Sequence, residues 1–296
     1  MPETQDPLTL QTLLAAYPNT SALRNGELRS PLVNFAFADV KTANKGFKAL
    51  VRDQNFDLGE LAIVTFLQAK AFDKPYVLMP AVVVARGQHH TIFYNPERGH
   101  MSPGDLNGRK VGVRAYTQTT GAWVRGFLQE DYGVDFRRVR WMTFEDPHVA
   151  EFTDPPWVQR APEGRPLLQM LLDGEIDAAI FGSENPDATP LKPLIPDAEK
   201  AAARWADEHA GVPINHMMVI KESITQTRPD VVREVYRMFK ESTAASLSKS
   251  SGVFRFGVEA VRKPLETIIR YSEQQGLIPR RFSVDELFND VTRSLE

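Results

Sequence analysis

A β/α alternation that breaks off and then resumes is the feature of this sequence that most constrains its fold. Between residues 31 and 98, short apolar runs alternate with helical ones, in the order PLVNFAFA, residues 41–52, ELAIVT, FLQAKAF and YVLMPAVVVA. Strands that read as nearly continuous apolar runs are typical of sheets covered by helices on both faces. The alternation therefore predicts an α/β fold.

A second α/β series follows an interruption. Residues 95–108 are rich in Gly, Pro and Asn and break the pattern. After them come the strand RKVGVRAY, a helix over residues 119–132, the strand RRVRWMTF, a helix ending at Gly174 and the strand IDAAIFG. Two Pro-rich segments, residues 153–166 and 185–196, are predicted to be irregular.

The run PINHMMVI predicts a strand that returns to the first series. We therefore predict two lobes, with residues 1–108 plus 213–296 forming a discontinuous lobe 1 and residues 109–212 forming lobe 2. The next helix should begin near Pro229 with a capping box from Thr227 to Asp230. Its buried face is predicted from helical spacing and comprises Val231, Val232, Val235, Tyr236, Met238 and Phe239.

Composition excludes several classes of protein. The 296 residues are 42% hydrophobic, which allows a substantial core, and the net charge near −3 argues against a nucleic-acid partner. There is no Cys, so disulfides and thiolate chemistry are excluded. No apolar run approaches the roughly 18 to 20 residues of a membrane span. The first residues lack the features of a secretory signal, which predicts a cytoplasmic protein without a membrane partner.

Residues 112–128, GVRAYTQTTGAWVRGFL, predict a site for an anion. A hydroxyl-rich patch stands where a strand ends and a helix begins, and N–H groups at a helix N-terminus attract carboxylates. Thr119 and Thr120 can add hydroxyl donors, and Arg114 or Arg125 can add a bidentate fork. The alternative is that the threonines merely cap the helix and that the arginines are solvated.

Three ionisable side chains are candidates for acid–base chemistry. His89 follows the strand YVLMPAVVVA, His216 begins the returning strand, and Glu60 opens the apolar run after Gly59. A carboxylate that opens a buried strand must be paired or have a raised pKa. Together they form a plausible acid–base set at strand ends. Structural or solvent-exposed histidines, and a structural partner role for Glu60, are the alternatives.

The sequence offers no motif for a cofactor. It lacks GxGxxG, GxxxxGK[ST], HExxH and GxSxG, and adjacent histidines on a strand would point apart. We expect no cofactor and no protein-built metal site, although a divalent metal is not excluded.

Several segments resemble a known family. FDLGELAIVTFLQA, SPGDLNGRKVGVRAYTQTTGAWVRGFLQEDYGVD, LLDGEIDAAI and GVPINHMMVI are similar to the type II periplasmic-binding-protein fold, as in the substrate-binding proteins of ABC transporters. WVRGFLQEDYGVD and the segments 86–90 and 213–216 resemble its 4,5-dihydroxyphthalate decarboxylase branch. The resemblance covers roughly residues 31–245. It implies two lobes with a ligand cleft between them.

Two functions follow from this resemblance. The first is a carboxy-lyase that decarboxylates a hydroxylated aromatic acid such as 4,5-dihydroxyphthalate by protonating the ring. The second is a solute-binding protein that captures a small aromatic carboxylate for a transporter or sensor. Either needs a small aromatic carboxylate as ligand, and a homo-oligomer is compatible with both. We predict that the acid–base residues are His89, His216 and Glu60 and that the ligand-binding residues are Arg86, Arg114, Tyr116, Thr119, Thr120, Trp123 and Arg125.

Overall fold

The computed structural model describes residues 6–182, 186, 189–246 and 254–296. The strands in chain order are β1 (Leu8–Leu13), β2 (Val33–Phe37), β3 (Leu58–Ala62), β4 (Tyr76–Ala85), β5 (Ile92–Tyr94), β6 (Lys110–Val113), β7 (Arg140–Thr143), β8 (Val158–Arg160), β9 (Ala178–Ile180), β10 (Lys192–Pro193) and β11 (Ile214–Lys221). The helices are α1 (Ser21–Arg24), α2 (Phe47–Val51), α3 (Ile63–Ala71), α4 (Thr119–Tyr132), α5 (Leu167–Asp173), α6 (Ala198–Glu208), α7 (Glu222–Thr227), α8 (Pro229–Ser246), α9 (Val258–Gln274) and α10 (Asp290–Arg293).

The chain divides into two compact units. Unit 1 comprises Met1–Arg86, Ile214–Glu266 and Arg281–Glu296, and unit 2 comprises Gly87–Pro213 and Thr267–Arg280. The first crossing between the lobes was predicted near residue 108. The structure groups residues 87–108 with unit 2 because β5 pairs with β9 there.

Unit 1 is built on a five-stranded sheet in the order β2-β1-β3-β11-β4. β1 pairs in parallel with both β2 and β3, and β11 runs antiparallel to β3 and β4. The predicted strand 76–85 is confirmed as β4, although it contains Pro80. Proline cannot donate to a ladder, and the position of β4 at the end of the sheet accounts for its tolerance.

Helix α8 packs its predicted apolar face on this sheet. Val231, Val235 and Phe239 belong to one buried cluster with Leu58 of β3 and Met218 of β11. The helix starts at Pro229 as expected, but the predicted capping box is wrong. The Thr227 hydroxyl instead donates to the Ser223 carbonyl, and the Asp230 carboxylate accepts from Arg228.

Unit 2 contains a six-stranded sheet in the order β10-β5-β9-β6-β7-β8. β6 lies between β9 and β7 and is parallel to both. The two Pro-rich segments were predicted to be irregular, but this prediction was wrong in part. They contain the short strands β8 and β10. Both strands stand at the ends of the sheet, where proline costs no internal ladder bond. Residues 185, 187 and 188 of the second segment lie outside the described residues.

One predicted strand boundary was also wrong. ELAIVT was expected to be a strand, but β3 ends at Ala62 and α3 begins at Ile63. A short apolar run that is buried on all sides has no periodicity to separate a strand from a helix. The predicted helix over residues 119–132 is confirmed as α4. Helix α5 ends at Asp173, and Gly174 caps it in the left-handed conformation with φ 73°.

A close helix contact in unit 2 gives a first testable prediction. Gly126 of α4 lies against the ring of Tyr271, and a Cβ at this position would overlap that ring. We expect Gly126→Ala to destabilise the protein by about 1–3 kcal/mol, the usual cost of overpacking a core. Chemical denaturation measures this change.

Gly104→Ala is the matched control, because a Cβ there meets no atom within 4 Å. An equal loss of stability in both variants would contradict the packing explanation.

Candidate active site

Glu60 and His216 share one face at the carboxyl edge of the parallel strands in unit 1. β1 has a parallel neighbour on each side, so the chain connections diverge from it. In open α/β sheets, ligands bind beyond the carboxyl ends of the strands at such a divergence. β11 runs antiparallel to β3, with His216 opposite Ala62 and Met218 opposite Glu60. The two side chains therefore project to the same face.

The Glu60 carboxylate is fully buried and receives hydrogen bonds from several donors. Oε1 accepts from the Ala15 backbone N–H at 2.7 Å, and Oε2 accepts from the Tyr17 hydroxyl at 3.2 Å. Oε2 also lies 2.7 Å from Nδ1 of His216. An ionised carboxylate is an acceptor only, so this set of donors suits that form.

The His216 imidazole is hydrogen-bonded through Nδ1, and part of its side chain is exposed to solvent. Nδ1 is paired with Glu60, while the side chain stays 21% exposed. Phe47 meets the ring edge-on with centroids 5.3 Å apart. Within the described chain, Nε2 has no protein partner. The ladder to β4 is irregular on both sides of His216, a type of distortion that re-aims a side chain.

We call the paired side chains of Glu60 and His216 the Glu60–His216 dyad, and Tyr17 supports this dyad from outside. Burial, followed by the neighbouring Glu60 carboxylate, raises the pKa of Tyr17. The phenol therefore keeps its proton at neutral pH and acts as a donor to Glu60. Together with the Ala15 N–H, it fixes the orientation of the carboxylate that holds His216.

Arg86 follows β4, whose carboxyl end lies at the same edge of the sheet. Ala85 pairs with Ile214, which precedes His216 by two residues. Arg86 is half-buried, and burial lowers the pKa of its guanidinium. Three of the predicted site residues, Glu60, His216 and Arg86, thus belong to unit 1.

His89 belongs to unit 2 and has a very different environment. It is fully buried, with its ring stacked on Phe127 at 4.0 Å and 5° between planes. Neither ring nitrogen has a hydrogen-bond partner among the described residues. Burial, followed by the charges of Arg204 and His90, lowers the pKa of His89 to about 4. At neutral pH this imidazole carries no charge.

The predicted anion site at the start of α4 has the expected local structure. Thr119 and Thr120 form the first turn and are almost completely buried. Gln118 precedes the helix without a side-chain cap. A Cβ built on Gly121 would lie 3.1 Å from Nη1 of Arg125, and that nitrogen has no hydrogen-bond partner in the described ranges.

The two predicted cationic residues near this turn have partners of their own. Arg114 forms an ion pair with Glu145 at 3.1 Å, and both side chains are partly exposed. Arg125 is fully buried and donates to Oε1 of Gln275 and to the Tyr116 carbonyl, each at 2.7 Å. Burial lowers the pKa of Arg125 to about 10.

The two predicted aromatic contacts lie inside unit 2. The Tyr116 hydroxyl donates to the Gln275 carbonyl and accepts from Nε1 of Trp157. Trp123 is fully buried and packs against the rings of Trp205 and Tyr271 at 5.5 and 5.8 Å. Their contribution to ligand binding stays a prediction, and their contribution to the core of unit 2 is observed.

Tyr17, Ala15 and Phe47 were not among the residues predicted for the site. They were missed because residues 8–13, which form β1, were not predicted to be a strand. Had LTLQTL been assigned as a strand, Tyr17 would have stood just beyond its carboxyl end, where ligand-site residues are expected.

No group of three or more His, Asp or Glu side chains suited to a metal ion is found among the described residues. Among the described residues, no helix is long and apolar enough to cross a membrane.

Comparisons with known sequences identify two curated relatives, although no family model matches the chain. A 4,5-dihydroxyphthalate decarboxylase of Comamonas testosteroni is 30% identical over 259 residues, covering 82% of this chain and 77% of the relative. A protein with the same name from Pseudomonas putida is 29% identical over 211 residues, covering 67% of this chain and 81% of the relative.

Solved structures show the fold. The periplasmic aliphatic sulphonate binding protein SsuA from Escherichia coli aligns with a TM-score of 0.61 and 12% identity, covering 96% of this chain and 98% of that one. The alkanesulfonate-binding protein SsuA from Xanthomonas axonopodis pv. citri gives 0.59 and 12%, covering 96% and 99%. The desulfurization enzyme DSZB gives 0.55 and 13%, covering 95% and 97%. The predicted periplasmic-binding-protein-like α/β fold is confirmed.

Proposed function

Because this chain belongs to the family of 4,5-dihydroxyphthalate decarboxylases, we propose that it removes carbon dioxide from a hydroxylated aromatic carboxylic acid such as 4,5-dihydroxyphthalate. The identity of 30% over most of the chain is the observation that carries this proposal. The enzyme is then a carbon–carbon lyase. The Glu60–His216 dyad supports the proposal, since it presents an acid–base group at a strand end.

The reaction needs a proton donor that faces the ring carbon bearing the carboxylate. In the proposed step, Nε2–H of the His216 imidazolium gives its proton to that carbon, and electron release from a ring hydroxyl stabilises the cationic ring. The bond to the carboxylate carbon then breaks. Its electron pair restores the aromatic ring, carbon dioxide leaves, and hydrogen stands in its place. His216 regains a proton from solvent through its exposed side.

Glu60 acts through His216 in this proposal. Its carboxylate accepts from Nδ1–H, so Nε2 is the nitrogen that faces the substrate, and its negative charge stabilises the imidazolium. His89 was an equal candidate on sequence grounds. It is buried, its ring nitrogens have no hydrogen-bond partner among the described residues, and its pKa is about 4, so it is a poorer proton donor at neutral pH.

The start of α4 remains the proposed contact for a substrate carboxylate. Two observations support this contact: Thr119 and Thr120 form the first turn of α4, and Nη1 of Arg125 has no hydrogen-bond partner in the part of the chain that the structure describes. Arg86 is the proposed cationic contact in unit 1. We also propose that the reaction needs no cofactor. The protein is proposed to be cytoplasmic and to have no nucleic-acid partner.

Incubating the purified protein with 4,5-dihydroxyphthalate and a panel of hydroxylated benzoates tests the function. We expect release of one carbon dioxide per 4,5-dihydroxyphthalate, with formation of 3,4-dihydroxybenzoate. We also expect the rate to be unchanged by a chelator, since the proposed proton transfers use only side chains.

Tight binding of aromatic acids without any turnover would refute the decarboxylase and favour capture of a solute. A rate abolished by chelator and restored by a divalent cation would refute the cofactor-free reaction alone.

A further inference from the structure

Arg24, the last residue of α1, is a half-buried cation without an acidic partner among the described residues. Its Nη1 donates to the Leu14 carbonyl, and its guanidinium carbon lies 4.8 Å from the ring centroid of Phe37. Within the described ranges, no carboxylate is within ion-pair distance of it. Among those residues, the hydrogen bond found for this guanidinium is the one to the Leu14 carbonyl.

The position of Arg24 relates it to the Glu60–His216 dyad. Leu14 directly follows β1, and the peptide group between Leu14 and Ala15 has two polar ends with different partners. Its carbonyl accepts from Arg24, and its N–H donates to Oε1 of Glu60 at 2.7 Å. A single peptide group thus separates the guanidinium from the carboxylate that holds His216.

Strand register places the aromatic platform of Arg24 on the same face as the dyad. Phe37 pairs with Thr12, and Thr12 pairs with Leu58, which precedes Glu60 by two residues. Paired residues, and residues two apart on one strand, project to the same face. With neighbouring strands about 4.8 Å apart, the strand of Phe37 (β2) and the strand of His216 (β11) stand roughly 14 Å apart. A chain of hydrogen bonds crosses this distance, from Arg24 through the Leu14–Ala15 peptide group and Glu60 to His216.

The chemistry of this arrangement suits a planar anion. The guanidinium carbon of Arg24 lies over the Phe37 ring, and the N–H groups of a guanidinium match both oxygens of a carboxylate. One carboxylate of a phthalate is the reacting group, and the neighbouring carboxylate stays on the ring. We propose that Arg24 binds this spectator carboxylate and thereby selects aromatic 1,2-dicarboxylates over monocarboxylates. The inference rests on the proposed function, because it takes the dyad as the reacting centre.

Binding of unreactive ligands tests Arg24 separately from catalysis. Phthalate and benzoate lack the ring hydroxyl that promotes decarboxylation, so their dissociation constants are measurable by calorimetry. We expect Arg24→Gln to weaken phthalate binding by roughly 10- to 150-fold, the range for a charge-assisted hydrogen bond. Benzoate binding should change less than about 3-fold, because benzoate has no second carboxylate.

Arg29→Gln is the matched control, since Arg29 is an exposed arginine close in sequence that also donates to a backbone carbonyl. It should leave both affinities unchanged. Arg24→Lys keeps the charge and should recover part of the phthalate preference. Equal losses for phthalate and benzoate in Arg24→Gln, or no loss for either, would overturn the proposal, as would a lysine variant no better than glutamine. Failure of the proposed function is read separately, from carbon dioxide release by the native protein.

Discussion

Replacing His216 by Asn is expected to lower kcat for 4,5-dihydroxyphthalate by about 10²- to 10⁴-fold, the usual contribution of a general acid. Asparagine retains polarity and a similar length but cannot deliver the proton from Nε2. Because the side chain is 21% exposed and not part of the core, the fold should persist. Steady-state kinetics, with binding of an unreactive aromatic acid measured alongside, checks that affinity survives.

The control is His100→Asn, which makes the same change at an exposed histidine of unit 2. It should retain native turnover. Glu60→Gln should lower kcat by at least about 10-fold, since the buried carboxylate sets the tautomer and orientation of the imidazole. Full turnover in both His216→Asn and Glu60→Gln would remove the dyad from the mechanism.

Acidification is expected to destabilise the native protein through His89 by about 3 kcal/mol between pH 6.5 and pH 4. The unfolded chain binds a proton at His89 near pH 6.5, whereas burial lowers the pKa in the folded state to about 4. Between these values the unfolded state holds more protons, so stability rises with pH through the window and falls as pH decreases. Above it, both states have a neutral imidazole and the contribution is constant.

His89→Leu should lack this component, and any cost of the altered packing against Phe127 is independent of pH. Denaturant unfolding at several pH values gives the difference between the native protein and the variant, which cancels the titration of all other groups. Parallel pH curves for native protein and His89→Leu would contradict a buried, neutral His89.

The sequence by itself determined the fold class and most of the regular elements. The β/α alternation identified the two series of strands, and helical spacing identified the buried face of α8, from Val231 to Phe239. The limits of α4 and β4 were also correct. These features were predictable because apolar periodicity directly reflects which side of an element is buried.

The sequence could also select Glu60 and His216 as candidates, since a carboxylate opening a buried strand requires a partner. It could not identify that partner, because 156 residues separate the two side chains and only the antiparallel pairing of β3 with β11 brings them to 2.7 Å. Tyr17 was missed for the same reason, as its contact with Glu60 depends on β1 lying beside β3.

Only the tertiary structure decided which polar side chains have partners. Arg114 and Arg125 look alike in sequence, yet one forms an exposed ion pair and the other is buried against Tyr116 and Gln275. Nothing in the sequence pattern singled out Arg24, and its lack of an ion-pair partner within the described ranges depends on its tertiary contacts with Leu14 and Phe37. Periodicity reports burial along one element, whereas pairing and charge compensation depend on residues brought together from distant parts of the chain.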